Sequence, residues 1–128
     1  MATKKPPKAE SVIRAKAFLV KAIAKNDVKT VERIMKAGYP IEEPIQTFMR
    51  QTPLMYALSV GQTEVLELLW SYGPAMDARD NTGRTPLHYC CRGGNVQNLR
   101  WFLDKVGTNP AILEARSNGG VTPLMSAI

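Results

Sequence analysis

The sequence is poor in the residues on which most enzymatic and metal chemistry depends. Its 128 residues include one histidine, His88, and two cysteines. The cysteines, Cys90 and Cys91, are adjacent, and neighbouring positions make a poor structural disulfide, which indicates a reduced, intracellular protein. With so few partners, neither a nucleophile with its base nor a metal site can be assembled. We therefore expect no enzyme, no metal and no cofactor.

Long apolar runs are also lacking. No stretch approaches the roughly 20 apolar residues of a membrane helix. The opening segment MATKKPPKAE has no apolar region of the kind that a secretory signal requires. The Gly-Gly pairs at 93–94 and 119–120 lack the Gly-Lys-Ser/Thr of a phosphate loop. We expect no membrane insertion, no small-molecule substrate and a cytoplasmic location, with a cytoskeletal or ciliary assembly or the nucleus as alternatives.

Acidic residues are scarce at one end of the chain. The net charge is +6, and residues 1–36 hold ten lysines and arginines against three acidic residues. At 100° per residue, positions 14, 21 and 25 of a helix lie within about 40° of one another, and positions 29, 33 and 36 lie within about 60°. The pattern predicts a basic surface made of Lys4, Lys5, Lys8, Arg14, Lys21, Lys25, Lys29, Arg33 and Lys36.

The sequence has an internal repeat. The segments RQTPLMYA from Arg50, GRTPLHYC from Gly83 and GVTPLMSA from Gly120 share Thr-Pro-Leu, with successive threonines 33 and 37 residues apart. Threonine suits a helix N-cap and proline suits the first helical position. Gly61 and Gly94 each follow nine residues after a motif threonine. The pattern predicts repeated units of helix, glycine turn, helix and glycine stop.

These motifs resemble those of the ankyrin-repeat family, and residues 80–116 carry the best match. The resemblance implies an all-α fold, a solenoid of stacked helix-turn-helix units with hairpin loops. It covers nearly everything after the first ten residues. We expect a basic tail at 1–10 and an ankyrin-repeat domain at 11–128, with an atypical repeat at about 11–46, repeats at 47–79 and 80–116, and an incomplete one at 117–128.

The first repeat lacks the motif but keeps the helical spacing. Ser11 is a candidate N-cap for its first helix, Asn26 replaces the turn glycine, and Gly38 supplies the stop. Asparagine tolerates the left-handed conformation better than most residues. The side chains expected to face the next unit are Phe18, Leu19, Ala22 and Ile23.

The sequence departs from the family pattern in several places. Arg50 replaces the glycine expected two residues before the motif threonine, and Met55 and Met125 replace the motif histidine. In this family the histidine ring typically hydrogen-bonds neighbouring turns, so a structural role is expected for His88. The loops before the second and fourth repeats exceed that before the third, which predicts longer outer hairpins. The last motif stops seven residues into a helix, and we expect the protein to continue beyond Ile128.

The resemblance also implies a binding surface, because hairpin tips and first helices line the concave face of such arrays. By register, the candidate partner-binding residues are Phe48, Met49, Gln51, Ser59, Val60, Asn81, Thr82, Arg84, Arg92, Asn118 and Val121. Tyr72 joins them as an aromatic near the end of a second helix. A longer first hairpin could instead fold over Phe48 and Met49, and packing in the core or between repeats is favoured for Trp70 and Trp101.

Three functions remain open. The leading one is a non-catalytic scaffold or adaptor that binds a protein partner, with the basic end docking an acidic surface such as that of tubulin. The second is nucleic-acid association through residues 1–36, with affinity falling as salt rises; against it, Phe18 is expected to face the core, which leaves no aromatic platform for bases. The third is a targeting domain of a larger enzyme.

Overall fold

Helices make up the regular structure of this protein. The computed structural model describes residues 9–45, 49–60, 62–107 and 109–127, and for residues 9–11 the backbone alone. Within these ranges no strand occurs, and no helix combines the length and apolarity needed to cross a bilayer. The helices are α1 (Ala9–Ala24), α2 (Val28–Lys36), α3 (Pro53–Val60), α4 (Thr63–Trp70), α5 (Pro86–Gly93), α6 (Val96–Val106), α7 (Pro110–Leu113) and α8 (Pro123–Ser126).

The repeated Thr-Pro motif starts three of these helices, as predicted. α5 begins at Pro86 with Thr85 as its N-cap. The Met55 N–H donates to Thr52 Oγ1 at 3.3 Å, and the Met125 N–H donates to Thr122 Oγ1 at the same 3.3 Å. Each threonine precedes a proline whose missing N–H costs nothing in the first turn of a helix.

The turns between paired helices also follow the sequence prediction. Asn26 has φ 55°, in the left-handed region that Gly94 occupies with φ 69° in the third repeat. The next residue caps the second helix in both repeats: Asp27 accepts from the Thr30 N–H at 3.2 Å, and Asn95 accepts from the Asn98 N–H at 3.1 Å. The replacement of glycine by asparagine therefore preserves the turn.

The first helix differs from the prediction in two respects. Ser11 lies inside α1, which already includes Ala9, so it is not the N-cap. Leu19 and Ile23 are buried as expected, but Phe18 is 63% exposed. The reason is geometric, because Phe18 lies about 140° around the helix from Ile23 and points away from the side that packs on α3.

The helices stack in two layers. α1, α3, α5 and α8 pack in succession in the first, and α2, α4 and α6 pack in succession in the second. The core lies between the layers, where first-helix leucines meet the apolar side of the second helices. Its largest fully buried apolar side chains are Phe102, Leu19, Ile23, Leu54, Met55, Leu58, Leu66, Leu69, Val31 and Val65.

The two tryptophans pack between repeats, as predicted. Trp70 of α4 and Trp101 of α6 meet edge to face, with ring centroids 5.6 Å apart. The Trp101 Nε1–H donates to Glu67, and Lys105 lies 5.6 Å from the Trp101 ring centroid. Edge-to-face pairs of this kind are favoured by the quadrupoles of the two rings. The two rings therefore contribute to the packing of α4 against α6.

One backbone hydrogen bond closes each hairpin. The N–H of Ile45 donates to Gln51 O at 2.8 Å, that of Asp80 to Arg84 O at 2.9 Å, and that of Ser117 to Val121 O at 2.9 Å. The first hairpin is thus longer than the second, as predicted. The last is the same size as the second, which corrects the sequence prediction, because the extra residues before it form α7.

Candidate protein-binding surface

Successive hairpin tips are joined by backbone hydrogen bonds. The Asn81 N–H donates to Met49 O at 2.8 Å, and the Asn118 N–H donates to Thr82 O at 2.8 Å. Gly83 is required at one junction, since a Cβ added there would lie 2.8 Å from the Asn118 backbone nitrogen. The tips therefore form one continuous edge rather than independent loops.

A buried carboxylate holds the middle tip in shape. Asp80 Oδ1 accepts hydrogen bonds from the Thr82 N–H, the Arg84 N–H and the Thr82 hydroxyl, each at 2.8 Å, and Oδ2 accepts one from the Tyr89 hydroxyl. Burial acts to raise the pKa of Asp80, but these hydrogen bonds outweigh it and hold the pKa below the usual 3.8. Asp80 is therefore ionised at neutral pH and ties the tip to α5.

Replacing Asp80 with asparagine is expected to cost about 1–3 kcal/mol of unfolding free energy at neutral pH, because a hydrogen-bonded charge is lost. The pKa of Asp80 is lowered by folding, so its contribution is present above pH 3.8 and is lost as pH falls through the lower folded value. Urea titrations from pH 7 to pH 2 should show wild type and variant converging below pH 4. A difference that stays constant with pH would contradict this role.

A hollow of about 310 Å³ opens between α3 and α5 on the concave face. Helix α5 approaches α3 closely, since a Cβ added to Gly93 would lie 2.9 Å from the Ser59 backbone. Burial and the hydrogen bond to Asp80 raise the pKa of the Tyr89 hydroxyl. The positive charges of Arg84 and Arg92 act in the opposite direction but are smaller effects. The hollow is lined by Gln51, Tyr56, Ser59, Tyr89, Arg92 and Gly93.

The structure brings most of the residues chosen by register to the tips and the concave face. Val60, Asn81, Arg92 and Asn118 are exposed, and Met49, Ser59, Thr82, Arg84 and Val121 are half-buried. Gln51 is 8% exposed, because it lies on the hairpin arm that leads into α3, and it contributes little surface. Tyr72 follows α4 in the second layer and does not join this face. Phe48 lies outside the described residues.

Arg50 belongs to the same edge, although register alone did not place it among the candidates. Its side chain is exposed and its φ is 57°, where the equivalent Gly83 and Gly120 have φ 80° and 79°. A left-handed non-glycine residue costs roughly 1–2 kcal/mol, and such strain concentrates at functional sites. The sequence feature that could have identified Arg50 is that it replaces the glycine found at this position in the later repeats, Gly83 and Gly120.

His88 makes structural hydrogen bonds, and Cys90 is packed in the interior. His88 Nδ1 accepts from the Thr85 N–H at 3.1 Å, and the Nε2–H donates to Val121 O at 2.6 Å in the next hairpin. Cys90 is buried, which raises its thiol pKa to about 12, and burial also raises the pKa of Cys91. Among the residues described, no three metal-ligating side chains cluster. His88 thus joins the third repeat to the fourth.

The basic surface forms on α1 and α2. The side chains of Arg14, Lys21, Lys25, Lys29, Arg33 and Lys36 are all exposed, while Lys4, Lys5 and Lys8 lie outside the described residues. Lys36 pairs with Glu32 at 2.7 Å, and this pairing raises the pKa of Lys36. Five of these six cations lie on α1 and α2, and Lys25 lies in the turn between them, at one end of the stack.

Comparison with known proteins agrees with this architecture. The chain matches the family model for ankyrin repeats, in three copies, over residues 19–114. It is 33% identical over 109 residues to ADP-ribosylation factor GTPase-activating protein AGD4 of Arabidopsis thaliana, covering 84% of this chain and 13% of that protein. It is 30% identical over 110 residues to the B-cell lymphoma 3 protein homolog of Mus musculus, covering 84% and 24%.

A third relative is the NF-kappa-B inhibitor alpha of Sus scrofa, 35% identical over 81 residues, which are 62% of this chain and 26% of that protein. The chain therefore spans 26% or less of the length of these three relatives. Repeats of this kind generally mediate protein–protein interaction and are typically non-catalytic. The chain belongs to the ankyrin-repeat family.

Proposed function

We propose that this chain is a non-catalytic scaffold or adaptor that holds a protein partner on its hairpin tips and concave face. The observation that carries the proposal is the hydrogen-bonded edge from Met49 to Asn81 and from Thr82 to Asn118. This edge presents polar and basic side chains in a row on a rigid base. Binding residues held on a rigid scaffold lose little entropy when a partner docks.

The charges on this face favour an acidic partner. Arg50 and Arg92 are exposed and Arg84 is half-exposed, whereas the carboxylate of Asp80 is buried and occupied by its own hairpin. Arginine forms paired hydrogen bonds to carboxylates. The basic surface on α1 and α2 would dock a second acidic region. Tubulin is one protein of this chemistry, which would place the chain in a cytoplasmic, cytoskeletal or ciliary assembly.

Partner capture by the full-length protein tests the proposal. Arg92→Glu is expected to weaken retention of the protein partner about ten-fold, since arginines that a bound partner covers are frequent hot spots. Arg100→Glu is the matched control, an exposed arginine on α6 in the other layer.

Reversing Lys21, Lys25, Arg33 and Lys36 to glutamate tests the basic end. All variants should melt like wild type. Undiminished retention in both the Arg92 and the basic-end variants would contradict the proposal.

Nucleic-acid association is a second candidate. Phe18 is exposed beside the basic face of α1, so the expectation that the basic end lacks an aromatic platform is wrong. Stacking next to cations is how single strands are bound without sequence preference. Nuclease treatment and a salt series separate the two functions: a nucleic-acid complex is lost with nuclease and weakens steeply with salt, while a protein partner survives nuclease.

A third proposal is that the repeats are the targeting domain of a larger enzyme that continues beyond Ile128. The relative named as a GTPase-activating protein is matched over 13% of its length, so most of that protein lies outside the matched segment. Sequencing the full reading frame tests this. A reading frame that ends after Ile128 would exclude it.

A further inference from the structure

An apolar groove lies between α1 and α2 on the side of the first repeat that faces away from the stack. Its volume is about 370 Å³. Val12 and Ala15 of α1, Ile34 of α2 and the buried Tyr39 ring line it. Thr30 and Arg33 are polar residues that line it on the α2 side. The rest of the lining is mostly hydrocarbon.

One large apolar side chain projects from α1 at this groove. Phe18 lines the groove and is 63% exposed. Leu19 and Ile23, about 100° and 140° away around the same helix, are fully buried. Exposed apolar surface of this kind, rimmed by charge, marks an interaction site.

The rim of this groove is positively charged, and the described acidic side chains nearby are already engaged. Glu32 pairs with Lys36 at 2.7 Å, and Glu43 pairs with Lys16 at 3.2 Å. Asp27 accepts two hydrogen bonds from Thr30.

The remaining cations of this end lie close to the groove. Arg33 lines it, Lys21 lies on the exposed side of α1 with Phe18, and Lys25 lies in the turn that follows α1. No described acid forms an ion pair with these three side chains, although after the Thr30 hydrogen bonds the charges of Arg33 and Lys25 help to lower the pKa of Asp27. Residues 12–36 hold seven cations against two acids, so the local field is positive and would attract a negatively charged partner.

We propose that this groove binds an acidic amphipathic helix of a partner protein, with an apolar side chain inserted against Phe18 and Ile34 and carboxylates on Arg33, Lys21 and Lys25. Helices recognise grooves in this way, through apolar anchors on one face. A bilayer surface does not fill a concavity between two helices. Nucleobases would leave their hydrogen-bonding edges unsatisfied against an interior of valine, alanine and isoleucine.

This inference rests on the proposed protein-binding function and names a partner chemistry for its basic end. It is independent of the concave face, which lies along the hairpins and first helices. Failure at the groove with intact dependence of partner capture on Arg92 would leave the proposed function standing without its basic end.

A synthetic peptide provides the direct test. The probe is a labelled helical peptide of about 18 residues with leucine and phenylalanine on one face and glutamate on the other, and its matched control carries lysine in place of glutamate. Binding to the full chain is measured by fluorescence anisotropy, and backbone NMR shifts locate the site. The acidic peptide should shift α1 and α2 resonances, bind at least about ten-fold more tightly than the lysine peptide, and weaken with salt.

The variants are Phe18→Ala and Arg33→Glu, with Arg100→Glu as the charge-matched control outside the groove. Phe18 and Arg33 are exposed, so both variants should retain the wild-type melting temperature. Each should weaken acidic-peptide binding about ten-fold, and Arg100→Glu should leave it within about two-fold.

Several results would overturn the inference. Equal binding of acidic and lysine peptides, no binding of either, or affinity unchanged by both groove variants would each do so. Binding to phosphatidylserine vesicles that depends on Phe18 and Arg33, without peptide binding, would make the surface a membrane patch. Concentration-dependent self-association abolished by Phe18→Ala would make the occupant a second copy of the chain.

Discussion

Replacing Leu54 or Leu87 with alanine is expected to lower the free energy of unfolding by about 2–5 kcal/mol, as buried leucine truncations do. The two side chains are 1% and 2% exposed, and they lie on α3 and α5, which pack directly on each other. Each truncation removes apolar contacts and leaves a cavity between repeats. Urea denaturation followed by circular dichroism and tryptophan fluorescence measures the loss.

Val96→Ala is the control, because it also truncates an aliphatic side chain, here at the start of α6. Val96 is 62% exposed, and surface substitutions usually change stability by less than about 0.5 kcal/mol. The expected result is a large loss at positions 54 and 87 and almost none at 96. Equal losses at all three positions, or unchanged melting in both buried variants, would contradict the stacking described above.

The second large effect is expected at His88. Replacing it with alanine removes the acceptor of the buried Thr85 N–H and the donor of the part-buried hydrogen bond to Val121 O. With the cavity that the ring leaves, the expected loss is about 2–4 kcal/mol. The N–H of Ser117 closes the last hairpin by donating to Val121 O, so hydrogen exchange at Ser117 should also quicken.

The second repeat supplies the matched control for His88. There Met55 occupies the equivalent position, and the Thr52 N–H points at its sulfur at 3.5 Å. A thioether is a weak acceptor but fills the space. His88→Met should therefore recover part of the stability that His88→Ala loses, without restoring the bond to Val121. If methionine and alanine were equally destabilising, the cap at Thr85 would contribute nothing.

Much of the repeat is predictable because its signals are local. Thr52, Thr85 and Thr122 mark helix starts through side-chain chemistry that acts over three residues. Asn26 replaces the turn glycine because the left-handed conformation is a property of single residues. The packing of Trp70 against Trp101 was likewise predictable, since their register places them on successive second helices.

The candidate site was predictable only in outline. Register places Asn81, Arg92 and Asn118 on the hairpins and first helices, and these residues are exposed. It did not indicate that Gln51 is almost covered or that Asp80 braces its hairpin through Tyr89. Those facts depend on how a hairpin arm packs against the following helix, which is a contact between elements.

The sequence by itself determined the repeat, the starts of its motif helices, the family and the basic end, since each follows from motif spacing or from charge. Only the tertiary structure decided which apolar residues are covered. Phe18 is 63% exposed while the adjacent Leu19 is fully buried, because α3 packs on one side of α1. Burial requires a neighbouring element on the correct side of the helix.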